Sequence, residues 1–502
     1  MLNGSESTVT FLIVLTVFVI LTWGYNRSKA YGKLGILAWL QSVVLMAPWL
    51  LFFGLFAVGI YLNLVGILFL LLTSIAIYIW LGRQLRAAGQ DALLKEKAAE
   101  RIKAESEAEE EAAKPQEASK TGANAISVEI SPIPDEDMTK LKEIFSIDSF
   151  FSTEAIPYQD GAIFKGNLRS DPEKAHASLS KKLQERLGDK YRLFLVESPE
   201  EKPVVVILPS TNDPQTTTLA QKNLALVLLV ATIFTSLEAA GLLLGFDLFS
   251  DFGRYSEAIP LSLGLWTILA AHEIGHWVIA KSYQIRLSIP FFLPTWQIGS
   301  FGAITRFESL LPNRTTLFDI AFAGPATGGL LSLVLLIVGL VLSHPGSLFQ
   351  LPTEFFRGSI LVGTLAKTIL GSALEASIVD IHPLVVVGWL GLVITSLNLL
   401  PAGKLDGGRI IHAIYGRKIA RRATITTLII LGIVALFNPG NPVPLYWALL
   451  ILFLQRDLER PAMNELSEPD DARAAWGLLS LFLMLATLIP LSSSLAGRLG
   501  IG

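Results

Sequence analysis

The chain of 502 residues contains no cysteine. Disulfides and thiolate metal sites are thereby excluded, and any metal must be held by His, Asp or Glu. Histidine is scarce as well, with six in the whole sequence. Charge is thin: 17% of the residues are Asp, Glu, Lys or Arg, against roughly 25% in a soluble globular chain. A net charge of −3 gives no basic excess for nucleic acid, so no nucleic-acid partner is expected. What is abundant is apolar surface, with 52% hydrophobic residues and a mean hydropathy of +0.53. More than half of the charged side chains lie between Arg83 and Gln221, which leaves the remainder poorer still. Such a distribution describes an integral membrane protein, multi-pass, with one soluble insert.

About 20 apolar residues cross a bilayer as a helix. That criterion predicts spans at 9–25, 35–58, 62–81, 224–246, 259–280, 317–342, 384–399, 419–437, 443–453 and 474–491. The first is read as retained, because residues 1–10 carry no positive charge and no small-residue cleavage site follows Trp23. Positive clusters set the orientation. With ten spans, Arg27, Lys29 and Lys33, then Arg83 and Arg86, Lys222, Lys281 and Arg286, and finally Arg417 to Arg422 fall on one side. The acidic loop 247–257 falls on the other. Both termini are then outside and the insert is cytoplasmic. Residues 354–380 are apolar but carry Arg357, Lys367, Glu375 and Asp380. Charges near the centre of a span cost about 2.5–3.5 kcal/mol each, so this stretch is read as helices on the outer surface or wedged re-entrantly.

Within the insert, 85–113 is rich in Ala, Glu and Lys and predicts a helix, followed by a linker at 115–124. Short apolar runs at 126–130, 162–164, 191–196 and 203–208 predict strands. A helix is predicted at 172–187, with Ala175, Leu179, Leu183 and Leu187 on one face. The expected fold is an all-α polytopic membrane protein of about ten transmembrane helices with a small α+β cytoplasmic insert domain. Its parts are an N-terminal membrane region 1–82, a charged helix and linker 83–124, a soluble domain 125–221, a membrane core 222–437 and C-terminal spans 438–502.

The chemistry concentrates at His272-Glu273-Ile-Gly-His276. Histidines four apart project from one helix face, one turn apart, the geometry for two imidazole ligands on one zinc ion. Glu273 is turned about 100° away, where it reaches a water at the metal and suits a general base. Six histidines in the chain make a chance occurrence rare. Two histidines and a carboxylate within one membrane turn are also costly unless they share a partner or a wet cavity. A third ligand is needed, with water in the fourth position. Its candidate is Asp406, in Asn398-Leu-Leu-Pro401-Ala-Gly-Lys-Leu405-Asp406-Gly407-Gly408. Taken alone, that run reads more readily as an Asp-Gly-Gly turn at a helix end than as a ligand. Its cytoplasmic-side placement, matching the end of the helix that carries the histidines, favours a ligand.

These residues resemble the site-2 protease family of intramembrane zinc metalloproteases over roughly residues 224–437. The resemblance rests on His272-Glu273-x-x-His276 and on Asn398-x-x-Pro401-x-x-x-Leu405-Asp406-Gly407. It implies His272, His276 and Asp406 as ligands of Zn2+, Glu273 as catalytic base, and Asn398 and Pro401 as supporting positions near the substrate. The run from Pro290 through Gly299 and Gly302 to Arg306 is similar to the family's re-entrant segment beside the active site. Many members carry Asn where Gly328 stands here. Gly166-Asn167-Leu168-Arg169 is similar to the plastid and cyanobacterial branch. That likeness implies a cyanobacterial-type plasma or thylakoid membrane. The implied partners are the lipid bilayer and a membrane-anchored protein substrate, single-span, cut in or beside its span.

Other readings remain open at this level. Glu308, Glu354 or Glu375 could supply the third ligand of a different membrane zincin. A metal transporter or an inactive protease-like scaffold would be non-enzymatic. A transporter wants ionisable groups on several spans, whereas these cluster; a dead relative tends to lose its base, whereas Glu273 is present. His176 is read as an ordinary surface histidine, and His344, His382 and His412 as structural.

Overall fold

The computed structural model describes residues 133–501, apart from 159, 199, 296 and 297, together with scattered positions between 22 and 84. The chain divides into two units, Met1–Ile126 and Ser127–Gly502. In the first, every described position is helical. The expected spans 9–25, 35–58 and 62–81 fall largely outside the described residues, and the helix 85–113, the linker and the strand 126–130 wholly so.

The second unit opens with α1 (Asp135–Lys142) and a four-stranded antiparallel sheet. Its strands are β1 (Phe150–Tyr158), β2 (Gly161–Leu168), β3 (Tyr191–Glu197) and β4 (Pro203–Pro209), in the order β1-β2-β4-β3. Helix α2 (Pro172–Leu187) lies between β2 and β3 at the bounds its sequence predicts. The reasons are local. Asp171 accepts hydrogen bonds from the Glu173 and Lys174 amides, Pro172 occupies the first turn, and Gly188 ends the helix. Ala175, Leu179 and Leu183 are buried, and the two leucines pack with Phe164, Leu195 and Ile207. Strand β1 has no counterpart among the predicted strands. It is an edge strand with a register shift between Ser152 and Glu154 and a proline at 157, so it never shows clean alternation.

Among the described residues, five helices are long and apolar enough to cross a membrane. They are α3 (Leu219–Leu243), α4 (Tyr255–Ser282), α5 (Arg314–Leu342) and, further on, α8 (Asp406–Phe437) and α10 (Asp471–Leu488). Between α4 and α5 runs a hairpin of β5 (Phe291–Thr295) and β6 (Gly299–Ile304). Two further expected spans are shorter helices: α7 (Pro383–Asn398), and α9 (Val443–Leu450), which continues as a π-helical turn, Ile451–Gln455. Helices α5 and α7 approach closely at glycine: a Cβ on Gly388 would overlap the Leu336 backbone and one on Gly391 would overlap the Ser332 side chain.

Residues 354–380 fold back on themselves. The stretch is framed by β7 (Phe349–Pro352) and β8 (Ile378–Ile381), paired antiparallel with Phe349 opposite Ile381. Entry and exit are therefore side by side. Between them α6 (Ile360–Leu370) has 11 residues, about 16 Å of helix, flanked by two 3-10 turns. Lys367 bonds the Gly371 carbonyl and pairs with Glu375, so two of the four charges that speak against a span are met within the stretch; Arg357 donates to Ile501 O and Asp380 accepts from the Gly346 amide.

The sheet domain is tied to the helical core by a strap at 463–465. The Leu195 amide of β3 donates to Met463 O (2.8 Å) and the Glu465 amide donates back to Leu195 O (2.9 Å). The Met463 and Asn464 amides donate to Leu311 and Pro312, just ahead of α5. Under the strap, α8 bends at Gly416 (φ 77°, ψ 175°), which frees carbonyls that a straight helix would use. Buried Arg314 takes two of them: Nε donates to Ala413 O (2.8 Å) and Nη2 to Ile414 O (2.7 Å). On the same face, Glu465 pairs with His412. Burial pushes the Glu465 carboxyl up, but the His412 hydrogen bond and the charges of His412 and Arg417 outweigh it and hold it below its usual value.

Two outcomes are expected. Arg314→Met leaves two buried carbonyls unpaired and should lower stability by about 2–4 kcal/mol, read by thermal unfolding in detergent. A depressed carboxyl contributes stability that is complete above the ordinary carboxylate range, about pH 4.3, and is lost as pH falls through its lower folded value. Hydrogen exchange at Leu195 and Glu465 should therefore accelerate on acidification below that range, and Glu465→Gln should flatten this dependence.

Candidate metal centre

The first two candidate ligands come from the middle of α4, and the third is the first residue of α8, 134 residues on from His272. All three side chains are buried. His272 Nε2 lies 3.2 Å from Asp406 Oδ2, His276 Nε2 lies 3.4 Å from the same oxygen, and the two Nε2 atoms are 3.1 Å apart. Zinc–ligand bonds of about 2.0–2.1 Å in a tetrahedron put donor atoms about 3.3 Å from one another. The three donors therefore already stand at the edges of a tetrahedral face. His276 Nδ1 donates to the Ile320 carbonyl (2.7 Å), which leaves Nε2 with its lone pair for a metal. Zinc fits this donor set.

Room for the rings comes from α5. A Cβ on Gly324 would overlap the His276 ring, and one on Gly328 would press on His272 Cβ at 2.9 Å. The small residues of Ala323 to Gly329 thus do more than bring two helices together: they clear the ligand pocket.

Asp406 and Glu273 are joined by groups that carry little signal in the sequence. Arg409 Nη1 lies 3.8 Å from Asp406 Oδ1, while its Nε and Nη2 donate to Glu459 Oε2 (3.1 and 3.0 Å) and Nη2 also to Thr305 O (2.8 Å). The Thr305 hydroxyl donates to Glu273 Oε2 (2.8 Å). Arg409, three residues after Asp406 on one helix, was findable from its spacing. Glu459 and Thr305 meet it only through folding.

The remaining predicted positions divide. Asn398 lines the cleft beside Glu273, His276 and Asp406, and its Nδ2 donates to Phe301 O (3.3 Å) and Ile394 O (3.0 Å). It thereby fastens β6 to α7. Gly302, at φ 96°, lets β6 pass Asn398, whose Nδ2 a Cβ there would approach to 2.6 Å. Gly299 anchors the other end of β6, its carbonyl accepting from the Thr235 hydroxyl of α3 (2.6 Å). Pro401 is not among the cleft-lining residues; its carbonyl accepts from Thr427 further along α8. Glu308, Glu354 and Glu375 stay outside the cluster, Glu308 accepting from the Thr217 amide and Glu375 pairing with Lys367. His382 caps α7, His412 meets Glu465, and His176 is half-buried beside Leu193 O.

Residues 260–438 match Peptidase family M50, and residues 139–215 match the EGY3 middle domain. The protein named probable zinc metalloprotease EGY2, chloroplastic, of Arabidopsis thaliana is 38% identical over 378 residues, covering 73% of this chain and 67% of its own length. The chain belongs to peptidase family M50. The rice (Oryza sativa subsp. japonica) protein named probable zinc metalloprotease EGY1, chloroplastic, is 37% identical over 407 residues, covering 73% and 69%. The Arabidopsis protein named probable zinc metallopeptidase EGY3, chloroplastic, is 35% identical over 376 residues, covering 70% and 65%. No solved structure matches. Both matched regions, the sheet domain and the M50 core, lie in the unit Ser127–Gly502.

Purified protein should carry about one zinc per chain by elemental analysis. His272→Ala and Asp406→Ala should lose most of it, and Glu273→Gln should keep it. Gly324→Ala should also lose zinc, by displacing the His276 ring, although residue 324 offers no ligand atom. Full occupancy in Gly324→Ala would contradict the pocket described above.

Proposed function

We propose that this M50 chain is an intramembrane zinc metalloprotease that hydrolyses peptide bonds in or beside the span of a membrane-anchored, single-span protein. The observation that carries the reading is the convergence of His272, His276 and Asp406 at tetrahedral spacing, with Glu273 held by Thr305 at the same cleft.

His272, His276 and Asp406 hold the metal. Zinc there supplies Lewis-acid chemistry, polarising a carbonyl and acidifying water. Glu273 is the base. Its Oε2 is occupied by the Thr305 hydroxyl, so Oε1 takes the proton from water and returns it to the leaving amine. Arg409 is a positioning residue: by touching Asp406, Thr305 and Glu459 it keeps ligand and base in register.

The cleft is narrow, bounded by Ala303, Ile304 and Thr305 at the end of β6 and by Asn398, Lys404, Leu405 and Gln455. A helical substrate hides its carbonyls in its own hydrogen bonds and has no access there, so it unwinds and enters extended, alongside β6. His276 lies five residues before Lys281, about 7.5 Å along the helix, which puts the chemistry near the positive edge of the membrane. The positive clusters support a cytoplasmic sheet domain within a ten-span topology. The chloroplast designation of the relatives and the Gly166–Arg169 motif support a thylakoid or cyanobacterial-type plasma membrane.

Reconstituted enzyme should release the cytoplasmic fragment of a single-span substrate, dependent on zinc and on Glu273. Replacing Gly, Asn or Pro near the scissile bond by Leu should slow the cut, since those residues lower the cost of opening the helix. Degradation of casein with no cleavage of any membrane-span substrate would overturn the reading.

A further inference from the structure

The polar groups around the cleft are mostly engaged. Asn398 holds Phe301 and Ile394, Thr305 holds Glu273, and Arg409 holds Glu459 and Thr305. Gln455 differs. It lines the same cleft as Glu273, His276 and Asp406 and is only 4% exposed. Its Oε1 is buried without a hydrogen-bond partner among the described residues. Burying a carboxamide oxygen without a partner is costly, so a cleft residue of this kind is complete only when something enters the cleft.

The backbone of Gln455 is held firmly, which makes the free side chain more telling. It ends the π-helical turn Ile451–Gln455, and such turns recur at functional sites. Its carbonyl accepts from the Lys404 amide (3.0 Å), two residues before Asp406. Contact is so close that a Cβ on Gly403, at φ 51°, would overlap the Gln455 carbonyl. The turn is therefore locked to the loop that presents the third ligand, and the carboxamide keeps a fixed place relative to it.

An unwound substrate brings the complementary need. Each residue opened from its helix carries an N–H and a C=O that lipid cannot hydrogen-bond. A carboxamide offers one acceptor and a pair of donors with no net charge, which suits both groups whatever the substrate's side chains. We propose that the Gln455 carboxamide binds the main chain of the substrate beside the scissile bond, its Oε1 accepting a peptide N–H. The proposal rests on the protease reading above and adds a main-chain subsite to it.

The test uses full-length protein in lipid nanodiscs. The probe is a fluorescent single-span peptide of about 20 apolar residues with an Asn-Gly break near its cytoplasmic end. In the Glu273→Gln background, Gln455→Met should weaken probe binding about tenfold, the loss of one buried hydrogen bond. Zinc content should be unchanged, and the thermal midpoint equal or higher, because methionine removes an unpaired amide. In the active enzyme, kcat/KM should fall by the same factor. Probes with single ester linkages replacing peptide N–H groups around the break should include one position that weakens binding to the parent but not to Gln455→Met.

Equal affinity in parent and Gln455→Met, or no such ester position, overturns the proposal. Loss of zinc or of fold in both Gln455→Met and Gln455→Leu assigns the residue to structure and overturns it too. If wild type binds the probe and cuts nothing, the protease reading fails while the binding comparison still decides Gln455. A wild type that neither binds nor cuts overturns both.

Discussion

A bilayer gives a buried imidazole or carboxylate no water, so each of His272, His276 and Asp406 would be costly there alone. Brought within 3.1–3.4 Å of one another, they become a donor set that a metal can satisfy. Much of the surrounding structure follows from keeping that contact. The helix carrying the histidines must lie against the helix end carrying the aspartate, and each donor must be aimed by a neighbour. Ile320 O does this for His276, and Arg409 lies against the far oxygen of Asp406.

Glycine makes the approach possible. In hydrocarbon, no hydrophobic force draws helices together, so close packing has to come from shape. Gly324 of α5 faces the His276 ring and Gly328 faces His272, while Gly388 of α7 faces the backbone of α5. Substituting a larger residue would push apart the helices that hold the cluster. Non-helical backbone near the site obeys the related rule that its polar groups be met by protein. Asn398 binds the Phe301 carbonyl of β6, and Thr235 binds the Gly299 carbonyl.

The sheet domain reaches this arrangement in part through a strap, beside separate contacts of Arg460 with Asn212 and of Lys418 with Glu201. Residues 463–465 pair with β3 on one side and with the entry to α5 on the other. Glu465 then meets His412, which lies six residues beyond Asp406 on the same helix. The bend at Gly416 and the Arg314 guanidinium that satisfies it lie directly beyond. Sheet domain and metal helix are thus joined through buried polar contacts, the kind most sensitive to removal of a single partner.

The sequence by itself determined whatever depends on neighbours a few residues apart. The histidines four apart, the base next to the first of them, the capped helix Pro172–Leu187 and the apolar length of α3, α4 and α5 are all properties of local spacing. Asp406 was legible because its motif is local too, although the contact it makes is not. Only tertiary structure decided what depends on distant encounters. Residues 354–380 fold back because Phe349 pairs with Ile381, a contact no hydropathy window contains. Thr305 and Glu459 join the site through Arg409, and Gln455 reaches it on a π turn 49 residues beyond Asp406. Their residue types are ordinary and carry no spacing signal. A side chain's partner is set by where the backbone brings it, and that is fixed by packing between segments far apart in the chain.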